Sequence, residues 1–226
     1  MIKKLMKATL LALVLCFVIS PVAAKEKAKL PETTKDGLQL QKHTKLGAVY
    51  LAPGASLADY DKVKILDCYV AFEKNWQRNF NRESMDLANR VSDKDVETIK
   101  NKLAAEFPKI FTKELEKGGY QVVDTTGKDV LLLRPAIINL TLTSTDINKV
   151  GIGTTIVGSN GSMTLYAELY DSLTSAKIAE VMDAEEVGDN GFAHQGGRWS
   201  NQVEFDRTLR AWAEILRKRL DEAHGK

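Results

Sequence analysis

The feature that most constrains the fold is a long apolar run from Val130 to Thr143. A run of this length, rich in leucine and isoleucine, is typical of a central strand that is buried on both faces for part of its length. Pro135 interrupts it and cannot donate to a strand ladder, so a bulge or bend is expected there. Arg134 is a charge in an apolar stretch and therefore calls for an acidic partner.

The neighbours of this strand are predicted from alternating patterns elsewhere in the chain. Two alternating segments, Met163 to Tyr170 and Lys177 to Val187, are separated by a short turn and predict a β-hairpin. Shorter strands are expected within residues 47–51, 62–72 and 120–124.

Two long helices are predicted from caps and apolar stripes. Ser92 and Asp95 have capping-box spacing ahead of the first helix, and Pro108 should kink or split it. The second begins after Ser200, and its stripe consists of Phe205, Leu209, Trp212, Leu216 and Leu220. Residues 75–90 are interpreted as a structured loop. The order of strands and helices along the chain favours an α+β fold, a mostly antiparallel sheet with two long helices packed on one face.

Residues 1–24 have the composition of a secretory signal peptide. Three lysines precede an apolar run from Ala8 to Ile19, and Val22 and Ala24 stand where a signal peptidase accepts compact side chains. The run is too short for a bilayer, which needs roughly 20 residues. Cleavage is expected after Ala24, followed by a flexible leader over residues 25–46 and a single α+β domain over residues 47–226.

Removal of the signal peptide changes the charge and the cysteine content. The remaining chain has 29 basic and 30 acidic residues, so no basic face for nucleic acid is indicated. Cys16 follows Leu15 rather than a small residue, so lipid anchoring at Cys16 is not expected and the protein should be periplasmic. Cys68 then remains alone, without a disulfide, and shares its parity with Leu66 and Val70, which predicts a buried and inert thiol.

The sequence holds no recognisable catalytic or metal-binding constellation. The three histidines, His43, His194 and His224, have no ligand spacing, so no metal and no cofactor are predicted. A hydrolase would have to use His194 with Asp189 or Glu185, but no nucleophile elbow accompanies them. The glycine-rich residues 151–162 match no phosphate-binding motif and are interpreted as a mobile loop.

Two stretches pair arginine with tryptophan and form the candidate binding surface. The residues concerned are Trp76, Arg78, Arg82, His194, Arg198 and Trp199. Aromatic and arginine side chains outside element interiors are typical of binding surfaces. The alternative is that each tryptophan closes one end of the sheet while the arginines are solvated.

Three stretches resemble DUF3313, a bacterial envelope family of unknown function. They are DGLQLQKHTKLGAVYLAPGASLADYDKVKI, ELYDSLTSAKIAE and RTLRAWAEILRKRLDE, within about residues 36–222. The resemblance implies an exported envelope protein, and many relatives look like lipoproteins, although this chain lacks a lipidation site. Ser175 stands where the family tends to have glycine. Since the family has no established activity, it implies no catalytic residue.

The sequence therefore favours a non-enzymatic periplasmic accessory or binding protein that acts on another envelope protein or an envelope polymer. One alternative is an envelope hydrolase that uses His194. Another is an oligomeric structural subunit that assembles through the glycine-rich loop. The ligand and the oligomeric state stay open.

Overall fold

The computed structural model describes residues 30–84, 90–142, 161–187 and 200–226. Its strands are β1 Gln39–Leu40, β2 Ala48–Leu51, β3 Lys62–Ile65, β4 Tyr69–Phe72, β5 Gln121–Val122, β6 Val130–Leu142, β7 Gly161–Asp171 and β8 Lys177–Val187. Its helices are α1 Trp76–Glu83, α2 Asp93–Lys117 and α3 Ser200–Ala223.

Strand β6 lies in the interior of an eight-stranded sheet, as its apolar run predicts. The strand order is β1-β2-β8-β7-β6-β3-β5, and β4 pairs with β6 further along that strand than β3 does. Among the described strands, three pairs are parallel, namely β3 with β5, β3 with β6 and β4 with β6, and the others are antiparallel. The predicted α+β class is confirmed, with α2 and α3 in contact and the hairpin of β7 and β8 where the alternation placed it.

The bulge expected at Pro135 lies elsewhere, so that prediction was wrong. β6 runs through Pro135 in register with Ala167, and its irregularity falls between Ile138 and Thr141, where Asn139 has a φ of 52°. On the other edge of β6, β3 pairs up to Leu133 and β4 pairs from Ala136 onward. Pro135 thus lies opposite the break between two strands, where its missing amide hydrogen costs no ladder bond.

Arg134 has the acidic partner that its position requires. It pairs across the strands with Glu168, and its Nη1 lies 3.4 Å from the Glu168 Oε2. Lys177 Nζ lies 2.7 Å from the other oxygen of the same carboxylate. Burial alone would raise the pKa of Glu168, but hydrogen bonds from Lys177 and two tyrosines hold it below its ordinary value. The carboxylate is therefore charged and compensated on the sheet face away from α2 and α3.

Residues 75–84 are not the structured loop that was expected, because α1 forms there. Asn75 precedes the helix with a φ of 65°, in the left-handed region that asparagine tolerates. The Asn81 side chain then bonds Val91 at both backbone groups, accepting from its amide at 2.7 Å and donating to its carbonyl at 2.8 Å. These two bonds fix α1 against the start of α2.

Residues 30–46, within the range that composition assigned to a flexible leader, contact the sheet. β1 pairs with β2, and Leu38 is buried although its neighbours are polar. The Tyr50 hydroxyl donates to the Pro31 carbonyl at 3.1 Å, and Lys177 forms an ion pair with Asp36 at 2.6 Å. Burial of Leu38 and these polar contacts attach the segment before β2 to the sheet, which its polar composition does not predict.

Helix α2 begins at the predicted capping box of Ser92 and Asp95, and it continues through Pro108 as one helix. Its buried face packs on the sheet and on α3. The two helices are joined by Glu114, a buried carboxylate that lies 3.1 Å from Arg217 Nε and also pairs with Lys117. Arg217 in turn pairs with Asp221, which accepts a hydrogen bond from the Tyr120 hydroxyl.

The Glu114→Gln substitution should destabilise the domain by about 1–3 kcal/mol, since it leaves the Arg217 guanidinium partly unpaired at the helix interface. Burial alone would raise the pKa of Glu114, but hydrogen bonds from Lys117 and Arg217 outweigh it and hold the pKa below its ordinary value. The carboxylate therefore stabilises the fold at neutral pH and loses that contribution as the pH falls through its folded-state pKa.

Urea unfolding at several pH values measures both effects. The stability difference between the native chain and Glu114→Gln should shrink as the pH falls from the ordinary pKa of a glutamate through the lower folded-state pKa of Glu114. Glu116→Gln, an exposed change on the same helix, is the matched control and should be nearly neutral. Equal losses in the two variants would contradict the role assigned to Glu114.

Candidate functional site

The structure places the first half of the expected arginine-tryptophan surface on α1. Trp76 is buried, stacks on Phe72 at 4.3 Å between ring centroids, and donates its indole hydrogen to the Leu142 carbonyl at 3.0 Å. Arg78 and Arg82 are exposed on the same helix. Trp76 therefore belongs to the core and fixes α1 to the end of β6, so only the two arginines face solvent.

The other half of that surface, His194, Arg198 and Trp199, lies outside the described residues, as do Asp189 and most of the glycine-rich segment. Glu185 is exposed on β8, where burial first and the nearby Asp183 second raise its pKa. Within the described ranges, no three histidine, cysteine, aspartate or glutamate side chains are close enough to hold a metal ion. No helix among those same residues is long and apolar enough to cross a membrane.

A cavity lies between the sheet and α3. Seven strands side by side at about 4.8 Å make a sheet about 30 Å wide, whereas two packed helices 8–10 Å apart cover about 20 Å. α2 packs over β4 and β5, and α3 packs beside it and over β8. The edge strip around β2, beyond β8, has no helix packed closely over it, and the cavity of about 530 Å³ lies between the sheet and α3.

The floor and walls of this cavity are apolar. Strands β2, β7 and β8 contribute the side chains of their inward faces, and α3 contributes the side that faces them. The lining includes Val49, Leu51, Leu165, Ala167, Leu169, Ala179, Val181, Trp212, Ile215 and Leu216. Leu51, Val181 and Leu216 are only partly buried although they pack against the core. A ligand in the cavity would cover these side chains and remove their apolar surface from water.

The mouth of the cavity is formed by two loops and by the last turns of α3. The loop between β1 and β2 contributes Lys42, His43 and Lys45, and α3 contributes Arg219. Ala55, Ser56 and Leu57 border the opening from the loop after β2. Every ionisable side chain among the described lining residues is therefore basic or a histidine.

A buried carboxylate, Asp183, holds the edge of the cavity in place. The Trp212 indole donates to one of its oxygens at 2.8 Å, and the Gly47 amide donates to the other at 2.7 Å. A side chain at Gly47 would meet the Met182 carbonyl at 3.2 Å and the Asp183 carboxylate at 3.4 Å, so this close approach favours glycine. Asp183 thereby links β8, β2 and α3 around the opening.

The patterns in the sequence did not predict this cavity. Val49 and Val181 pair across β2 and β8 and have the inward parity of core residues, as Leu165 and Leu169 do. Two signals were available: Ile215 broadens the apolar stripe of α3 beyond its core positions, and QKHTK at residues 41–45 places three cationic or titratable groups beside a strand. Neither signal indicates by itself that a helix is missing from that part of the sheet.

The chain belongs to the family described as "Protein of unknown function (DUF3313)", whose model matches residues 32–216. No curated protein matches the chain.

Solved structures with similarity to this chain are low in identity. The PelC dodecamer from Paraburkholderia phytofirmans is 14% identical, with a TM-score of 0.38, over 76% of this chain and 95% of that one. Protein XCC0632 from Xanthomonas campestris is 10% identical, with a TM-score of 0.31, over 69% of this chain and 80% of that one. At these values no assembly or ligand is carried over from either protein.

Cys68 is buried, as its parity predicts, and burial raises the pKa of its thiol to about 12. Because only the thiolate is nucleophilic, the folded protein without residues 1–24 should react with Ellman's reagent at least about 100-fold more slowly than the same protein in denaturant. The absorbance of the released thiolate measures both rates. Similar rates in the two states would contradict the assignment of Cys68 as an inert core residue.

Proposed function

We propose that this member of the DUF3313 family is a non-enzymatic binding protein of the cell envelope, and that its ligand occupies the cavity beneath α3. The main support for this proposal is the cavity itself. Its volume of about 530 Å³ is within the roughly 300–1,000 Å³ of small-molecule sites. Its walls are apolar and its polar groups are few and placed at one end, as is usual in such sites.

The groups around the cavity support binding rather than catalysis. Among the described lining residues, His43 has no carboxylate beside it to orient its ring. The hydroxyl of Ser56 accepts a hydrogen bond from the Ala58 amide at 3.0 Å, an arrangement typical of a turn. Lys42 and Lys45 are exposed and solvated, so burial does not activate them as nucleophiles.

The envelope location rests on residues 1–24 and on the cleavage expected after Ala24. A periplasmic binding protein would receive its ligand from another envelope component or pass it on to one. Arg78 and Arg82, exposed on α1, are the described members of the expected docking surface. They lie apart from the cavity lining, so docking and ligand binding would use different surfaces.

Expression of the full chain in a Gram-negative host should yield a periplasmic protein that begins at Lys25. Intact-mass spectrometry of the periplasmic fraction gives the first residue directly. Because Leu15 precedes Cys16, labelled palmitate should not be incorporated. A lipidated chain that begins at Cys16 would contradict the proposal of an unanchored periplasmic protein.

The Val181→Trp substitution should fill part of the cavity and weaken binding of the neutral probe N-phenyl-1-naphthylamine by about tenfold, which corresponds to about 1.4 kcal/mol. Val181 lies on the inward face of β8 and lines the cavity. The dissociation constant of the probe, measured by its fluorescence, checks this prediction.

Met182→Trp is the matched control, because Met182 is the next residue of the same strand, lies on the opposite face and is 40% exposed. It should leave probe binding unchanged. Thermal unfolding of both variants establishes that each is folded. If the native chain binds no probe, or if the two variants bind it equally, the cavity is not the ligand site.

A further inference from the structure

The residues around the cavity are divided into an apolar floor and a cationic rim. The floor consists of aliphatic side chains from β2, β7 and β8, together with Trp212. The rim consists of Lys42, His43, Lys45 and Arg219, and no acidic residue is among the described lining residues. A site of this kind complements a ligand that is apolar at one end and negatively charged at the other.

The rim loop is held by hydrogen bonds on both sides of His43. The Gln41 amide donates to the Val49 carbonyl at 2.8 Å on one side of it. The Thr44 hydroxyl donates to the Leu46 carbonyl at 2.8 Å on the other, and His43 between them has a φ of 60°. These bonds restrain the backbone that carries Lys42 and Lys45, which lowers the cost of ordering the loop when a ligand binds.

Arg219 adds a guanidinium to the rim from α3. Its Nη1 lies 2.8 Å from Glu222 Oε2, and both side chains are at least half exposed. An exposed pair of this kind contributes little to stability and is easily exchanged. The planar guanidinium can therefore turn to a carboxylate or phosphate group, which it binds through two parallel hydrogen bonds.

We propose that the ligand is an anionic amphiphile, with an alkyl chain on the apolar floor and a carboxylate or phosphate head group between the loop of residues 42–45 and Arg219. This inference rests on the proposed function. The alkyl chain supplies the affinity, because it covers partly buried side chains such as Leu51 and Leu216. The head group supplies the selection, because a cationic head would be repelled and an uncharged one would gain nothing from the rim.

The test compares four ligands with the same ten-carbon chain: decanoate, decyl phosphate, decanol and decylammonium. Each displaces N-phenyl-1-naphthylamine from the mature protein at low ionic strength. One or both anions should bind at least about tenfold more tightly than decanol, and decylammonium more weakly than decanol. The ratio of the two anions distinguishes a carboxylate from a phosphate head group, and inorganic phosphate alone should displace no probe.

Two double variants with the same change in net charge locate the effect. Lys42→Glu with Lys45→Glu should remove the preference for anions and leave the affinity for decanol unchanged. Lys94→Glu with Lys128→Glu alters two exposed lysines that do not line the cavity, and it should retain the preference. The preference should also decline as salt is raised from about 0.01 M to 0.15 M, since the rim is exposed to solvent.

The failure of this inference is distinguishable from that of the proposed function. If the neutral probe and decanol bind and the anions bind no better, the head-group assignment is overturned while the cavity remains a ligand site. If both double variants lower anion affinity equally, the rim is not the recognition element. If neither the probe nor any amphiphile binds, the proposed function fails and the inference fails with it.

Discussion

The site depends on a mismatch between the width of the sheet and the width of its helical layer. α2 and α3 pack side by side, and their contact leaves the edge strip around β2 without a helix packed closely over it. That strip has inward-facing valine and leucine side chains, so its uncovered surface is apolar. A third long helix over the strip would fill the cavity, but the short α1 packs at the other end of the sheet, beside β4 and β6.

Two buried carboxylates prevent α3 from moving across to close the cavity. Glu114 on α2 binds Arg217 of α3, and Asp183 on β8 binds the Trp212 indole from the same helix. Each carboxylate has polar partners on both oxygens, and a shift of α3 would leave a charge buried and unpaired. The helix is therefore fixed between its neighbour and the sheet, and the empty space beside it persists.

The sequence predicts the parts of this fold that local periodicity and capping determine. The capping box of Ser92, the stripe of α3 and the β7–β8 hairpin follow from spacing alone. The expectation that relatives have glycine at the position of Ser175 has a physical reason. This turn residue has a φ of 58°, which glycine adopts at no steric cost. The prediction of a bulge at Pro135 was wrong because the sheet tolerates this proline at the break between β3 and β4. The position of that break depends on how the strands pair and not on the local sequence.

The cavity was unpredictable for a related reason: periodicity shows which face of a strand is inward, but not what covers that face. Val181 and Leu169 have the same pattern in the sequence, and they differ because Val181 lies nearer the edge that the helices leave open. The same separation would govern recognition in the proposed binding mode. Burial of an alkyl chain on such a floor is non-directional and tolerates many chains. In the proposed binding mode, discrimination among ligands therefore comes from the few charged groups at the rim, which would repel an unfavourable head group and retain a favourable one.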